Sequence, residues 1–346
     1  LSDQISAPRP TLEAVAERAG VSRATASRVV NGGSGVRQVL VEKVRRAVEE
    51  LGYVPNQAAR TLVTRRTGAV AVIVAEPETK VFTNPFFGQQ MLGISRELTV
   101  HDSQPVVLLV ESSADYDRVG RYLAGGHVDG ALLFSLHADD PLPAITRRIG
   151  IPTVFGGRPG WPGADGDDSV LYVDSDNRGG AADAVRHLLS LGRRRIATIT
   201  GPLDQTASVD RLDGYRDALP DADPRLVAHS DFTGAGGARA MTELLHRAPE
   251  LDAVFVASDL MATGALRALR EHGRRVPEDV AVVGFDDIAS VVELTDPPLT
   301  TVRQEIEEMG RLMVRLLLRD LHAKHAADQP PSPLIIPTRL IQRATA

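Results

Sequence analysis

The chain has 346 residues, enough for two or three domains with hydrophobic cores of their own. Its 43% hydrophobic and 24% charged residues are those of an ordinary globular protein, and zero cysteines exclude disulfides, thiolate catalysis and Cys-ligated zinc. The net charge of −6 argues mildly against nucleic acid until its distribution is read: residues 1–67 hold 11 Lys and Arg against 6 Asp and Glu, and the rest holds 28 against 39. A basic N-terminal module on an acidic body is the asymmetry expected when only one end meets phosphate. No apolar run reaches the roughly 18 residues that suggest a membrane span. LSDQISAPRP lacks the layout of a signal peptide, so the expected location is the cytoplasm, with no membrane partner.

Thr11 is placed to cap a helix whose apolar positions Leu12, Val15, Ala16 and Ala19 form one stripe. Gly20 ends it by adopting the left-handed cap conformation at low cost. Ser22 caps a second helix with Ala26, Val29 and Val30 inward, stopped at Asn31-Gly32. Two short helices joined by a tight glycine-containing turn make a helix-turn-helix. A third amphipathic helix carries Val41, Val44, Val48 and Leu51 at helical spacing and closes at Gly52.

On the second helix, Arg23 and Ser27 are four residues apart, as are Ala24 and Arg28, and both pairs project away from the apolar stripe. An arginine so placed reaches O6 and N7 of guanine through two parallel hydrogen bonds, discriminating by about 1–3 kcal/mol. The small Ala24 lets the helix approach the groove floor. The preceding helix, the glycine turn and the local positive charge favour this reading over a plain solvated face.

In YVPNQAARTLVTRRTG, Pro55 breaks the third helix and Asn56 caps a short one expected over Gln57–Val63. Such a helix forms only against a partner helix, DNA or both. Leu62 beside Arg60, Arg65 and Arg66 suits a minor-groove wedge; alternatively it packs on the neighbouring domain.

From about residue 68 the runs AVAVIVAE, PVVLLVES, VDGALLFS, IPTVFGG, RRIATITG, LDAVFVAS and VAVVGFDD alternate with helical stretches. Runs apolar on both faces point to buried parallel strands of doubly wound α/β sheets. The segments beginning HVDGALLFS and ELDAVFVAS share one plan: Asp, strand, Ser at the strand end, helix, Gly, Pro, strand. The expected fold is therefore α/β: an all-α helix-turn-helix headpiece plus two Rossmann-like subdomains of the periplasmic-binding-protein kind, with a ligand cleft at the strands' carboxyl ends. In NPFFGQQMLGI, Phe86 and Phe87 offer an aromatic wall. TTVRQEIEEMGRLMVRLLLRDL reads as a strand returning to the first subdomain, then a helix with Met309, Leu312, Met313 and Leu316 as core or dimer surface. PSPLIIPTRLIQRATA gives a last strand.

PTLEAVAERAGVSRATASRVVNG followed by GYVPNQAARTL resembles the headpiece and hinge of the LacI/GalR repressor family, and the likeness extends over nearly the whole chain. YLAGGHVDGALLFSLHADDPLP and RRVPEDVAVVGFDD are most similar to its actinobacterial cellobiose- and cellulose-utilisation repressors. The resemblance implies a homodimer on a pseudo-palindromic operator, with paired hinge helices inserting Leu62 at the central step. It implies DNA contacts from Thr11, Ser22, Arg23, Ala24, Thr25, Ser27, Arg28, Asn31, Tyr53, Asn56, Ala59, Arg60 and Leu62. Residues 1–55 correspond to the headpiece and 56–67 to the hinge. Residues 68–172 with 299–330 correspond to one subdomain, and 173–298 with 331–346 to the other. Arg211 falls on the family's effector-binding arginine and Asp286 on its cleft aspartate, while Asp176, Asp259 and Phe232 fall on or beside cleft positions. Asp176 and Asp259 also read as helix N-caps, and Phe232 as core. The third helix lacks the hydroxyl usual at its start, having Arg37 instead.

The function expected is a transcriptional repressor of carbohydrate-utilisation genes, released from its operator by a small sugar such as cellobiose. The alternative is a corepressor-type regulator whose DNA binding a nucleobase or phosphorylated metabolite strengthens. No cofactor or metal is expected. The absence of GxxxxGK[ST], HExxH, GxSxG and GxGxxG argues against an enzyme.

Overall fold

The computed structural model describes residues 10–31, 34–54, 66–161, 170–323 and 332–346. Two compact units divide between Thr67 and Gly68. Among the described residues no helix is long and apolar enough to cross a membrane.

The first unit contains α1 (Leu12–Ala19), α2 (Arg23–Val30) and α3 (Gln38–Leu51). The Thr11 side chain accepts from the backbone N–H of Ala14 and that of Ser22 from Thr25, closing the starts of α1 and α2. Gly20 and Gly52 end α1 and α3 with φ of 67° and 60°, a region that costs a side chain but not glycine. Val15, Ala16, Ala19, Ala26, Val44 and Ala47 are buried between the helices, and Val29, Val30, Val48, Leu51 and Tyr53 pack around them. Arg37 precedes α3 without a side-chain cap, so that helix starts without a bond typically worth about 1 kcal/mol. The short helix expected over Gln57–Val63, with Asn56, Ala59, Arg60 and Leu62, lies outside the described residues.

The second unit opens with β1 (Ala69–Val74), α4 (Glu78–Thr83), α5 (Pro85–Val100), β2 (Gln104–Leu109) and α6 (Ser113–Ala124). β3 (Gly130–Phe134), α7 (Leu142–Ile149), β4 (Thr153–Gly156) and β5 (Leu171–Ser175) follow. Next come α8 (Asn177–Ser190), β6 (Ile196–Thr200), α9 (Thr206–Ala218), β7 (Val227–His229), α10 (Gly234–Arg247), β8 (Ala253–Val256), α11 (Asp259–Glu271) and β9 (Ala281–Asp286). The unit closes with α12 (Ala289–Val292), β10 (Thr300–Arg303), α13 (Ile306–Ala323), β11 (Leu334–Ile336) and β12 (Arg339–Ile341).

Two six-stranded sheets result, ordered β11-β5-β4-β3-β1-β2 and β12-β10-β9-β8-β6-β7. Among the described residues every strand pairing is parallel except that of β12 with β10. In β1, Val70, Val72 and Val74 join one apolar layer with α5 and α13, while Ala71 and Ile73 join the opposite layer with α6 and α7. Burial on both faces is why the run lacks polar alternation. The repeated segments become β3–α7–β4 and β8–α11–β9, each a strand–helix–strand unit whose two strands pair in parallel.

Three boundary expectations are corrected. The strand expected to return to the first subdomain, β10, pairs with β9 in the second sheet; only after it does the chain cross, and α13 buries Met309, Met313 and Leu316 in the first core. The last strand is two. Pro337 has no N–H for a ladder, and on either side of it β11 joins β5 in the first sheet while β12 joins β10 in the second. The division expected at 172/173 cuts through β5, which stays in the first sheet to Ser175.

Candidate functional site

On α2 the side chains of Arg23, Ala24 and Arg28 are exposed, Thr25 and Ser27 half-buried, and Ala26 faces inward. The cationic face is therefore a small-residue helix surface with two long donors. Arg23 is ion-paired: its Nε lies 2.5 Å from Oε1 of Glu13 on α1, with both side chains more than half exposed. Asn31 donates to the Ser27 hydroxyl across the last turn. Tyr53 is half-buried against the three-helix core, so its ring serves the unit's own packing.

In the second unit a cavity of about 1070 Å³, counting the solvent open to it, lies between the carboxyl ends of the two sheets. Phe86, Phe87, Phe134 and Trp161 line it from the first subdomain and Phe232 from the second. Phe86 meets Phe87 edge-on, and Phe87 stacks on Phe134. Phe232 lies over the end of β6, where a Cβ on Gly201 would come within 2.2 Å of its ring.

At the floor, Arg211 of α9 is buried. It donates to Asn177 Oδ1 and the Ala257 carbonyl, stacks 3.8 Å from the Phe285 ring centroid and stands 3.6 Å from Asp286. Gln304 donates to Asp286 at 2.6 Å and accepts from Ser175. Asp174 accepts from the backbone of Arg158 and Ser175 and from the Asn177 amide. Burial pushes the Asp174 carboxyl up to about 6 and raises Asp286 against the pull of Arg211. The same burial lowers Arg211, although a guanidinium stays charged throughout. Ser135, Phe232 and Asp286 take φ of 59°, 62° and 121°, backbone strain of the kind that gathers where a site is held in shape.

A second polar group sits at the other end of the cavity. The Glu76 carboxylate accepts from Lys80, Ser135 and Gln205, and His137 stands beside it. Burial opposes its charge, but the bonds from His137, Lys80 and Ser135 prevail and hold its carboxyl down at about 2. Among the described residues no group of three or more His, Asp or Glu is arranged to hold a metal.

The family described as bacterial regulatory proteins, lacI family, matches residues 11–56, and the periplasmic binding protein-like domain matches residues 185–346. The chain is 52% identical to the HTH-type transcriptional regulator CelR of Thermobifida fusca, over 97% of this chain and 98% of that one. The chain belongs to the LacI family. It is 35% identical to the ribose operon repressor of Escherichia coli strain K12, over 92% and 94% of the two chains. A structure of a transcriptional regulator CelR–cellobiose complex is 49% identical, with a TM-score of 0.77, over 98% of this chain and 100% of that one. The lac repressor dimer bound to operator and an anti-inducer gives a TM-score of 0.83 at 27% identity, over 98% and 99%. This LacI-family chain is a DNA-binding transcriptional regulator, with a helix-turn-helix unit and an α/β unit of two parallel-sheet subdomains.

Of the effector residues expected from the sequence and the resemblance, Phe86, Phe87, Arg211, Phe232 and Asp286 line the cavity, and Asp176 and Asp259 do not. Asp176 is exposed and caps α8 by accepting from the Gly179 N–H. Asp259 is fully buried; its oxygens accept from Thr301 Oγ1 and the Ile288 N–H, so it ties α11 to β10 and to the loop after β9. Asp259→Ala should therefore lower the unfolding free energy by about 1–3 kcal/mol, by orphaning two buried donors, and leave ligand affinity nearly unchanged. Urea unfolding beside ligand titration checks both halves.

Glu76, Ser135, His137, Arg158, Asp174 and Gln205 also line the cavity, though none was expected from the sequence. The available signal was position: each stands at or just beyond the carboxyl end of a strand, where open α/β sheets place their ligands.

Proposed function

We propose that the protein represses carbohydrate-utilisation genes as a homodimer on a pseudo-palindromic operator, in the cytoplasm, and is released by a small saccharide, cellobiose or a related oligosaccharide. The observation that carries the sugar reading is the cavity itself. Aromatic walls suit the apolar faces of pyranose rings, and Arg211 with Asp286 at one end and Glu76 with His137 at the other suit hydroxyls. Similarity to the CelR–cellobiose complex supports the same choice.

Arg23, Ala24 and Arg28 are assigned to base edges, and Thr11, Ser22, Thr25, Ser27, Asn31 and the Tyr53 hydroxyl to phosphates. Residues 56–67 are assigned to the hinge, with Asn56, Ala59, Arg60 and Leu62 meeting the minor groove. The saccharide favours one arrangement of the two subdomains, and operator affinity falls by the difference in its affinity for the two arrangements.

Fluorescence anisotropy on the chain's own promoter DNA, titrated with cello-oligosaccharides, tests this. Release of DNA by a cello-oligosaccharide is expected. DNA binding indifferent to every sugar, or strengthened by a nucleobase or phosphorylated metabolite, would overturn the inducer assignment.

A further inference from the structure

The two subdomains are joined at one edge of the cleft. The crossings follow β5 and β10 and lie between β11 and β12, all at the β11-β5 edge of one sheet and the β12-β10 edge of the other. The ends of β1, β3 and β6 lie several strands from that edge, at the opposite lip. There the polar cluster of the cavity joins side chains from both subdomains. His137, beyond β3, places Nδ1 2.7 Å from Oδ2 of Asp204, in the loop after β6. Gln205 reaches back from the same loop, donating to Glu76 at 3.0 Å and lying 3.3 Å from the Ser135 hydroxyl and 3.2 Å from His137 Nε2. Lys80, paired with Glu76, lies 6.0 Å from the ring centroid of Phe232 across the cleft.

We propose that the pairs His137–Asp204 and Gln205–Glu76 form a clasp that holds the lips of the cleft together and governs the passage of ligand, with the positive charge on His137 fastening it to Asp204. The clasp consists of protein groups alone, so it closes without a ligand. Its position multiplies its effect, because a rotation about the crossings moves this lip furthest. A second strap, from Arg158 beyond β4 to Asp210 on α9 at 2.7 Å, also bridges the two subdomains.

The charged groups facing His137 are Glu76 and Asp204, with Lys80 against Glu76 and Asp140 further along its own loop. The contact with Glu76, and after it that with Asp204, outweighs burial and pushes the imidazole up to about 9. Opening removes both the hydrogen bond and the charge of Asp204, which raise the imidazole, and relieves the burial that lowers it, so the closed form holds this proton more tightly by the margin of Asp204 over that burial. Closure is therefore favoured below that range and weakens as pH rises through about 9.

The chain has no cysteine, so Asp117→Cys in the first subdomain and Asp221→Cys in the second give two unique sites for spin labels on the full-length protein. Pulsed distance measurement should show a distance several ångströms longer or broader in Asp204→Asn/Gln205→Leu than in the parent. The parent should move toward that distribution between pH 8 and 10, and the variant should not. Cellobiose association and dissociation rates should both rise in the variant, about tenfold. The distance readout needs no ligand, so it stands or falls apart from the sugar assignment. Identical distances in parent and variant across this pH range would overturn the clasp, as would weaker cellobiose binding without a change of distance, the mark of simple ligand contacts.

Discussion

Replacing Arg211 by methionine is expected to abolish the effector response and to destabilise the α/β unit by about 3–5 kcal/mol, the usual cost of removing one partner from a buried ion pair. The side chain is 6% exposed and that of Asp286 is 7% exposed, so water does not replace the lost charge. Methionine fills much of the space over the Phe285 ring but leaves Asn177 Oδ1 and the Ala257 carbonyl without their donor. Arg211→Lys keeps the charge without the planar fork, and should recover part of the stability but little of the response. Urea unfolding and anisotropy titration separate the two. An effector response within a few-fold of the parent in Arg211→Met would remove this residue from the site.

The same substitution carries a pH signature. Asp174 and Asp286 are raised by burial, so the folded state holds their protons more tightly than the unfolded chain. Stability from this source falls as pH rises, across a window from the unfolded value near 4 to about 6 for Asp174. Losing the Arg211 cation raises both carboxyls further. The deficit of Arg211→Met should thus be larger at pH 8 than at pH 5.

These floor residues show where sequence reading succeeds and where it stops. Thr11, Ser22, Gly20 and Gly52 were legible because a cap is made within four residues of the chain. The buried strands were legible because burial on both faces writes a continuous apolar run. The crossings were not: TTVR carries no mark of which sheet it joins, since its partners are the backbone of β9 and β12. Asp259 and Asp286 look alike in sequence, each an aspartate near a strand end. One is consumed by Thr301 and Ile288, tens of residues along the chain, and the other faces the cavity. Glu76, His137 and Gln205 acquire meaning only when the lips of two sheets face each other, and no local pattern announces that.

The DNA-reading face yields the second large effect, and the structure alters its terms. Arg23 does not wait free on α2; it is held by Glu13 of α1. An exposed pair of this kind contributes little to folding, about 0–1 kcal/mol, but it decides where the guanidinium points and what must be released to reach a guanine. Arg23→Ala should cost about 1–3 kcal/mol on the specific operator and much less on random DNA, relaxing selectivity at one base pair of each half-site. Arg28→Ala should do the same at a neighbouring position. Glu13→Gln separates orientation from charge: freeing Arg23 and removing a negative charge near the phosphates should strengthen binding to random DNA, while the margin for operator narrows. Competition anisotropy at several salt concentrations measures each outcome. Equal losses on operator and random DNA for Arg23→Ala would make it a phosphate contact, and Glu13→Gln binding that leaves the operator margin intact would show that the ion pair does not aim Arg23.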